Sequence, residues 1–479
     1  MRAKIFAEEN RKWWTLGSLC FALFMIMLDN TVVNVALPAI KADLGITTSE
    51  LEWTVAAYAL TFASLLLTGG KLGDLLGRRL IFVLGLAVFT LSSLACGLSS
   101  SATELIAARA VQGVGAALMN PATLAIIAAT FPPRERGTAI GIWAGVSAMA
   151  LAIGPLVGGI LTQDIHWSWI FFINIPVGVA GVIAARLFID ETKDTSREQR
   201  LDLPGLLSSG IGLFALTYGL IETNDHSWGS TRVLSLFVIA LVSLTAFVLL
   251  ELHQRIPMLD LTLFRNATFA GANTVMFLVG LAMFGIFFYN SLFLQRVLGY
   301  GAIKTGATFL PMTLLIIFVA PLAGRIADRL GARWLMAGGM VLLTASLLLF
   351  ATLDQASSWW NILPGLLVGG FGMATVMAPT TATAMSAVPV DKAGVGSAVI
   401  NSMRQVGGSL GIAIMGALVA TTVTVAPFSP KYAAEFVPGY HRALEVGAAI
   451  LIVGAVVAVA TIRNVVREPR RAAEAIVEA

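Results

Sequence analysis

Fourteen apolar stretches, each about as long as a bilayer is thick, recur along this chain of 479 residues. A helix rises about 1.5 Å per residue, so crossing the hydrocarbon takes about 20 apolar residues. Such segments fall near 13–37, 51–70, 80–98, 104–130, 138–162, 169–189, 203–221, 231–251, 268–294, 305–324, 334–353, 360–387, 395–422 and 443–463. Inside lipid every backbone N–H and C=O must find a partner within the protein, and a helix does so within one segment. The chain is therefore predicted to be an all-α integral membrane protein with fourteen transmembrane helices. The charge content agrees. Only 12% of residues are charged, against about 25% in soluble domains, too few to cover a water-soluble surface of this size.

An even number of spans puts both termini on one side. Lys and Arg decide which side, because they gather in cytoplasmic loops. Lys71, Arg78, Arg79, Arg134, Arg136, Lys193, Arg197, Arg200, Arg325, Arg329, Arg333 and the tail from Arg463 to Arg471 all fall on the side of the termini. Lys41, Arg232, Arg296, Lys304, Lys431 and Arg442 fall on the other, and Arg109 and Arg404 lie within spans. Both termini are thus read as cytoplasmic, and the basic start MRAKIFAEENRKWW as the lead into an uncleaved first helix. Cys20 and Cys96 sit in apolar runs and argue no disulfide framework.

The chain repeats itself. GKLGDLLGRR at 70–79 and GRIADRLGAR at 324–333 share one pattern, with Gly70, Asp74, Gly77 and Arg79 returning 254 residues later as Gly324, Asp328, Gly331 and Arg333. Leu44-Gly45 returns as Leu298-Gly299 at the same offset. Six spans precede residue 190, six follow residue 268, and the two between have no counterpart. The division is then an N-terminal six-helix bundle at 1–190, a cytoplasmic linker with two inserted helices at 191–267, and a C-terminal six-helix bundle and tail at 268–479. Two related bundles imply a substrate site between them near the midplane, opened to each face in turn by rocking.

LDNTVVNVALPAI at 28–40, GKLGDLLGRR at 70–79, RAVQGVGAA at 109–117, the span-5 residues Gly141, Gly154, Pro155, Gly158 and Gly159, and WSWIFFINIPVG at 167–178 come in this order on spans 1, 2, 4, 5 and 6. Together they identify a resemblance to the major facilitator superfamily, in its fourteen-span drug:proton antiporter branch. The match covers nearly the whole length. Ala150, Ser168 and Leu75 depart from it, standing where the branch often has glycine, arginine and arginine. The resemblance implies proton coupling at Asp29 and Arg109 with Gln112, Asn34 and Thr31 in support. It also implies a cytoplasmic gate at Gly70, Asp74, Gly77, Arg78, Arg79 and Asp328, and an antiporter motif in span 5 that adds a hinge and a tight interface.

Asp29 lies within the first apolar run. A charged side chain at the bilayer centre costs about 2.5–3.5 kcal/mol on insertion scales, and such acids are functional by default. Span 1 runs outward, which puts Asp29 ~13 Å below its end near Pro38, and Arg109 lies ~8 Å into span 4 from the same face. The two can meet. Burial favours the neutral acid and a guanidinium favours the carboxylate, so rocking that changes the balance would take up and release a proton. At the 254-residue offset Asp29 maps to Met283, and aligning Met119-Asn120-Pro121 with Met377-Ala378-Pro379 maps Arg109 to Leu367. The second bundle is apolar at both places. A division of labour predicts that asymmetry.

Other residues point to the gate and the cavity. Asp74 and Asp328 are expected in short cytoplasmic loops, where a carboxylate could latch the helix start near Gly394 through its free N–H groups. Gln112 shares a helix face with Arg109 and could hold the guanidinium. Arg404 is a second buried cation, for which a structural and a pathway-lining reading both stand. Met25, Met149, Met276, Phe284, Phe287, Tyr289, Met373 and Met377 are candidates for an adaptable substrate cavity. The four histidines, His166, His226, His253 and His441, are expected in loops, and no metal-ligand spacing, nucleophile elbow or phosphate-binding loop is present.

The expectation is a non-enzymatic, proton-coupled exporter of hydrophobic or amphipathic, often cationic, drugs. It would work as a monomer in a bacterial inner membrane, on the proton gradient and without a cofactor or metal. Its partners would be lipid, protons and small hydrophobic molecules, not nucleic acid. An exporter dedicated to one endogenous metabolite, a facilitator and a membrane sensor are the rival readings.

Overall fold

The computed structural model describes residues 8–46, 48–193, 202–223, 226–254, 257, 259, 261–423 and 431–463. Most of the linker and the basic residues at the two ends therefore lie outside the described residues. The described backbone forms sixteen α-helices. In the first part these are α1 (Glu8–Leu44), α2 (Thr48–Leu76), α3 (Arg78–Leu98), α4 (Ala102–Thr130), α5 (Arg136–Ile160), the short α6 (Trp169–Phe172) and α7 (Asn174–Phe188). The insert gives α8 (Leu203–Glu222) and α9 (Thr231–His253). The last part gives α10 (Ala267–Leu292), the short α11 (Ala302–Thr308), α12 (Leu310–Leu330), α13 (Arg333–Phe350), α14 (Trp359–Ser386), α15 (Ala393–Ala420) and α16 (Tyr432–Thr461).

Thirteen of the described helices are long and apolar enough to cross a membrane, with α6 and α7 counting as one span. Helix α5 adds a stretch of 25 residues whose charge is confined to Arg136 at its start. The chain is a multi-pass membrane protein. Several boundaries differ from the sequence expectation. Helix α2 runs on to Leu76 and α12 to Leu330, so Asp74 and Asp328 lie in the last helical turns and not in loops. Helix α16 begins eleven residues before the predicted span, which makes His441 helical, and His253 closes α9. Apolarity marks the hydrocarbon part of a helix. The backbone keeps its own hydrogen bonds beyond it, so the helix outlasts the apolar signal.

The duplication is written into the backbone. The positive-φ residues of the described chain are Gly45 (63°), Gly77 (125°), Gly299 (68°) and Gly331 (90°). They form two pairs 254 residues apart, and only glycine adopts such angles without steric cost. Contacts between helices repeat as well. A Cβ on Gly115 would lie 2.8 Å from the Gly85 carbonyl oxygen, and one on Gly372 would lie 2.9 Å from that of Gly339. Gly113 meets Tyr58 as Gly370 meets Met312. These pairs set an offset of 257 for α4 and α14. The position equivalent to Arg109 is therefore Leu366 and not Leu367, and Leu366 is fully buried.

Two helix pairs make the most extensive contacts between the first and last parts. Helix α5 lies on α12, where a Cβ on Gly137 would sit 2.6 Å from the Gly324 carbonyl oxygen and one on Gly141 2.6 Å from that of Ala320. Helix α2 lies on α15, where a Cβ on Gly70 would sit 2.5 Å from the Gly394 carbonyl oxygen. Small residues let backbones approach this closely, and dispersion and packing then hold helices together in lipid. The insert is attached from one side: α9 packs on α8, and α8 packs on α2 and α15, with the Trp53 and Tyr218 rings 5.3 Å apart.

Overpacking costs about 1–3 kcal/mol, whereas Gly→Ala in an open helical position is neutral or stabilising. Gly141→Ala is expected to lower the melting temperature of the purified protein. Gly338→Ala, where a Cβ meets nothing within 4 Å, is expected to leave it unchanged or raise it. Thermal unfolding in detergent checks both.

Candidate functional site

Asp29 is completely buried on α1, and the chain brings four other elements to it. Arg109 on α4, 1% exposed, donates from Nη1 to Asp29 Oδ2 at 2.6 Å and to Gln112 Oε1 at 2.6 Å. Gln112, one turn on, donates from Nε2 to Asp29 Oδ1 at 2.9 Å. Asn174, the first residue of α7, donates from Nδ2 to the same oxygen at 3.2 Å and to Ser93 Oγ at 3.0 Å. Ser93 in turn donates to the Phe171 carbonyl at 3.0 Å. The Arg109 Nε donates to the Thr54 carbonyl at 3.2 Å, and its guanidinium lies 4.3 Å from the Tyr58 ring centre and 5.8 Å from that of Phe171.

The chemistry follows from that list. The carboxylate accepts three hydrogen bonds, and the guanidinium has two neutral acceptors besides the acid. A proton on Asp29 and the Arg109 cation compete for the same oxygens. With a proton on the acid, Arg109 still holds Gln112 and Thr54, so the cation is not stranded. A buried pair broken from one side leaves an uncompensated charge, but a carboxylate can neutralise itself by taking a proton.

Sequence reasoning missed part of this site. Asn174, Ser93, Thr54 and Tyr58 were not singled out. Asn174 left a trace, as an amide inside the apolar run WIFFINIPVG. Thr54 acts through its backbone carbonyl and leaves none. Thr31 does not support the acid as expected: its hydroxyl donates to the Leu28 carbonyl at 2.9 Å and faces α5. A Cβ on Gly154 would come within 1.8 Å of that hydroxyl, and one on Gly158 within 3.0 Å of Val32. Those two glycines therefore bring α5 against α1 next to Asp29, whereas Gly141 faces α12 and Gly159 faces Ile303 of α11. The side chains of Asn34 and Pro155 lie outside the described residues.

Asp74 and Arg78 form a second buried ion pair, 4% and 1% exposed, at the end of α2 and the start of α3. Arg78 Nη2 donates to Asp74 Oδ1 at 2.8 Å and to the Val390 carbonyl at 2.5 Å. Asp74 also accepts from the Gly394 and Val395 N–H groups at 3.0 and 2.9 Å, in the first turn of α15. Asp328 accepts from the Gly137 and Thr138 N–H groups in the first turn of α5. Each carboxylate thus caps the opening turn of a helix in the other half, where free N–H groups and the helix dipole favour an anion. Arg79 takes no part. It holds the Ile189 carbonyl at 3.2 Å, while Glu191 caps its helix. Gly70 sets the approach of α2 to α15, and Gly77 makes the turn after α2.

The cavity candidates divide. Met25 and Met276 are packed into the apolar core at 1% and 2% exposure, and Tyr289 is buried on the face of α10 that meets α15 and α16. Met149, Phe284, Phe287, Met373, Met377 and Arg404 are half-buried.

Truncating one partner of a buried pair costs about 3–5 kcal/mol. Arg109→Ala is expected to lose stability on that scale. The double variant Asp29→Asn, Arg109→Gln carries neither charge and is expected to lie closer to the parent. Thermal unfolding of the three proteins in detergent distinguishes them.

Residues 19–412 match the sequence model of the Major Facilitator Superfamily. The puromycin resistance protein pur8 of Streptomyces alboniger is 36% identical over 460 residues, covering 94% of this chain and 91% of that protein. The tetracenomycin C resistance and export protein of Streptomyces glaucescens is 36% identical over 87% of this chain and 77% of its own length. The multidrug resistance protein Stp of Mycobacterium tuberculosis is 36% identical over 85% and 75%. Among solved structures, the human organic anion transporter MFSD10 superposes with a TM-score of 0.67 at 14% identity, over 93% of this chain and 99% of that one, a likeness of fold. The sequence match, the relatives and the shared fold place this chain in the major facilitator superfamily.

Proposed function

We propose that this protein exports hydrophobic and amphipathic drugs across a bacterial plasma membrane in exchange for protons, by alternating access with both termini cytoplasmic. One observation carries the reading. The deeply buried Asp29 is held by a cation and two amides whose other partners persist when the acid is protonated. Such an acid can change its proton without stranding its neighbours.

The relatives named for puromycin, for tetracenomycin C and for several drugs support export as the direction and drugs as the cargo. The cytoplasmic caps at Asp74 and Asp328 support a state closed toward the cytoplasm. Rocking toward the cytoplasm breaks both caps, and the next state must compensate two carboxylates and two helix ends. A proton on Asp29 and a bound substrate bias which state is favoured by their differential affinity. Moving one charge through 100 mV supplies about 2.3 kcal/mol, enough to support a substrate gradient. Because some of these relatives are named for a single compound, an exporter dedicated to one metabolite is the second reading.

Proteoliposomes with an imposed pH gradient test the coupling. Adding puromycin or tetracenomycin C is expected to trigger proton movement with the wild-type protein and none with Asp29→Asn. Equal responses in the two would return Asp29 to a structural role. Asp74→Ala is expected to expose a cysteine placed at the cytoplasmic end of α15 to membrane-impermeant reagents several times faster than in the parent. An unchanged labelling rate would remove Asp74 from the gate.

A further inference from the structure

Arg404 lies eleven residues into α15, ~16 Å from its cytoplasmic end and close to the middle of a hydrocarbon layer about 30 Å thick. Its guanidinium makes one described side-chain contact, from Nη2 to Asn401 Oδ1 at 3.1 Å on its own helix. It forms no ion pair among the described residues, and α15 carries no acidic residue. A permanent cation with most of its donors unused does not sit in hydrocarbon. Intramembrane charges of this kind face the bundle interior or a water-filled cavity.

The packing of α15 says where that cavity is. Toward the cytoplasm Gly394 and Ala398 press on Gly70 of α2, and farther out Gly407, Gly408 and Gly411 press on α10. Where the second contact begins, Gly280 of α10 meets the Arg404 carbonyl, and Met403, Arg404, Gln405 and Val406 are all half-buried. Helix α5 repeats the arrangement 257 residues earlier. Gly137, Gly141 and Gly145 press on α12, Gly154 and Gly158 press on α1, and Val146, Ser147 and Met149 are half-buried between them. At the same level, then, both helices pass from the opposite half to their own. There the glycine contacts no longer hold the two halves together, and Ser147 and Arg404 stand half-buried at equivalent positions of the two helices.

The acid that could balance a cationic drug is not free. Asp29 is completely buried, and both its oxygens are occupied by Arg109, Gln112 and Asn174. We propose that Arg404 is a substrate-binding residue of the central cavity, and that it selects amphipathic compounds bearing a carboxylate, phenolate or similar oxyanion over lipophilic cations. Arginine suits this task, since its planar fork binds oxyanions and stacks on aromatic faces. This rests on the export reading above but reverses the cationic preference drawn from the sequence.

The test measures binding, so that it stands whether or not protons are coupled. The probes share one aromatic body: pyrenebutanoate, its methyl ester, and a pyrenyl-butyl trimethylammonium ion. Energy transfer from the protein's tryptophans reports their binding to the detergent-solubilised full chain. Wild-type protein is expected to bind the acid more tightly than the ester and the ammonium. Arg404→Ala and Arg404→Gln are expected to lose about ten- to hundredfold of the affinity for the acid and little of that for the ester. Arg404→Lys is expected to recover part of it. Tightest binding of the ammonium ion, an acid preference that survives in Arg404→Ala and Arg404→Gln, or no binding of the acid by the wild-type protein overturns the proposal. If the acid preference follows Arg404 while no probe or drug moves protons, proton coupling fails and this assignment stands.

Discussion

The ion pair between Asp29 and Arg109 is the interaction on which the first half of the molecule is arranged. Two charges buried in a bilayer are tolerable only with good geometry and further hydrogen bonds around them. The protein supplies these from five elements. Helix α1 brings the acid, α4 the guanidinium and Gln112, α2 the Thr54 carbonyl and the Tyr58 ring, α3 Ser93, and α7 Asn174. Each contact fixes the rotation of a helix that is otherwise apolar. Hydrophobic packing alone specifies such rotations weakly in lipid, because the tails are as apolar as leucine. The corresponding region of the other half needs no such compensation: Met283 and Leu366 are buried hydrophobes.

Glycine connects this pair to the rest of the fold. Along one helix, α5, Gly154 and Gly158 receive α1 beside Asp29, and Gly137, Gly141 and Gly145 receive α12. The first turn of the same helix is capped by Asp328. Helix α5 therefore touches the Asp29 site, the interface between the halves and the Asp328 cap. Helix α15 is its counterpart, capped by Asp74, pressed on α2 and then on α10. The symmetry is broken where the chemistry differs. Arg78 braces Asp74 and reaches the Val390 carbonyl, while the matching position beside Asp328 is Ala332. Asp29 has no acidic partner in the second half, and Arg404 has no basic partner in the first.

Much was legible in the sequence, because lipid imposes a simple grammar. Helices of bilayer length, the duplication and the family resemblance all follow from runs of apolar residues and repeated Gly and Asp positions. The pairing of Asp29 with Arg109 was within reach because depth in a membrane can be counted along a helix at a fixed rise. Depth does not give rotation. Thr31 shares the helix of Asp29 and turns to α5 instead, and Met25 and Met276 turn into the core. Register was also one residue long: Leu366, not Leu367, is the position equivalent to Arg109, because equal spacing in two halves is set by the packing of Gly85 on Gly115 and Gly339 on Gly372.

The sequence by itself determined the class of the molecule, its repeat, and which two charges lie deepest in the first half. These depend on composition and periodicity, which are one-dimensional. Only the tertiary structure decided who touches whom. It brought in Asn174 and the Thr54 carbonyl, placed Asp74 and Asp328 on the helix ends of the opposite half, and left Arg404 without an acid beside it among the described residues. The physical reason is that a buried polar group must find its partners in space, and nothing in the chain's order says which distant backbone will supply them.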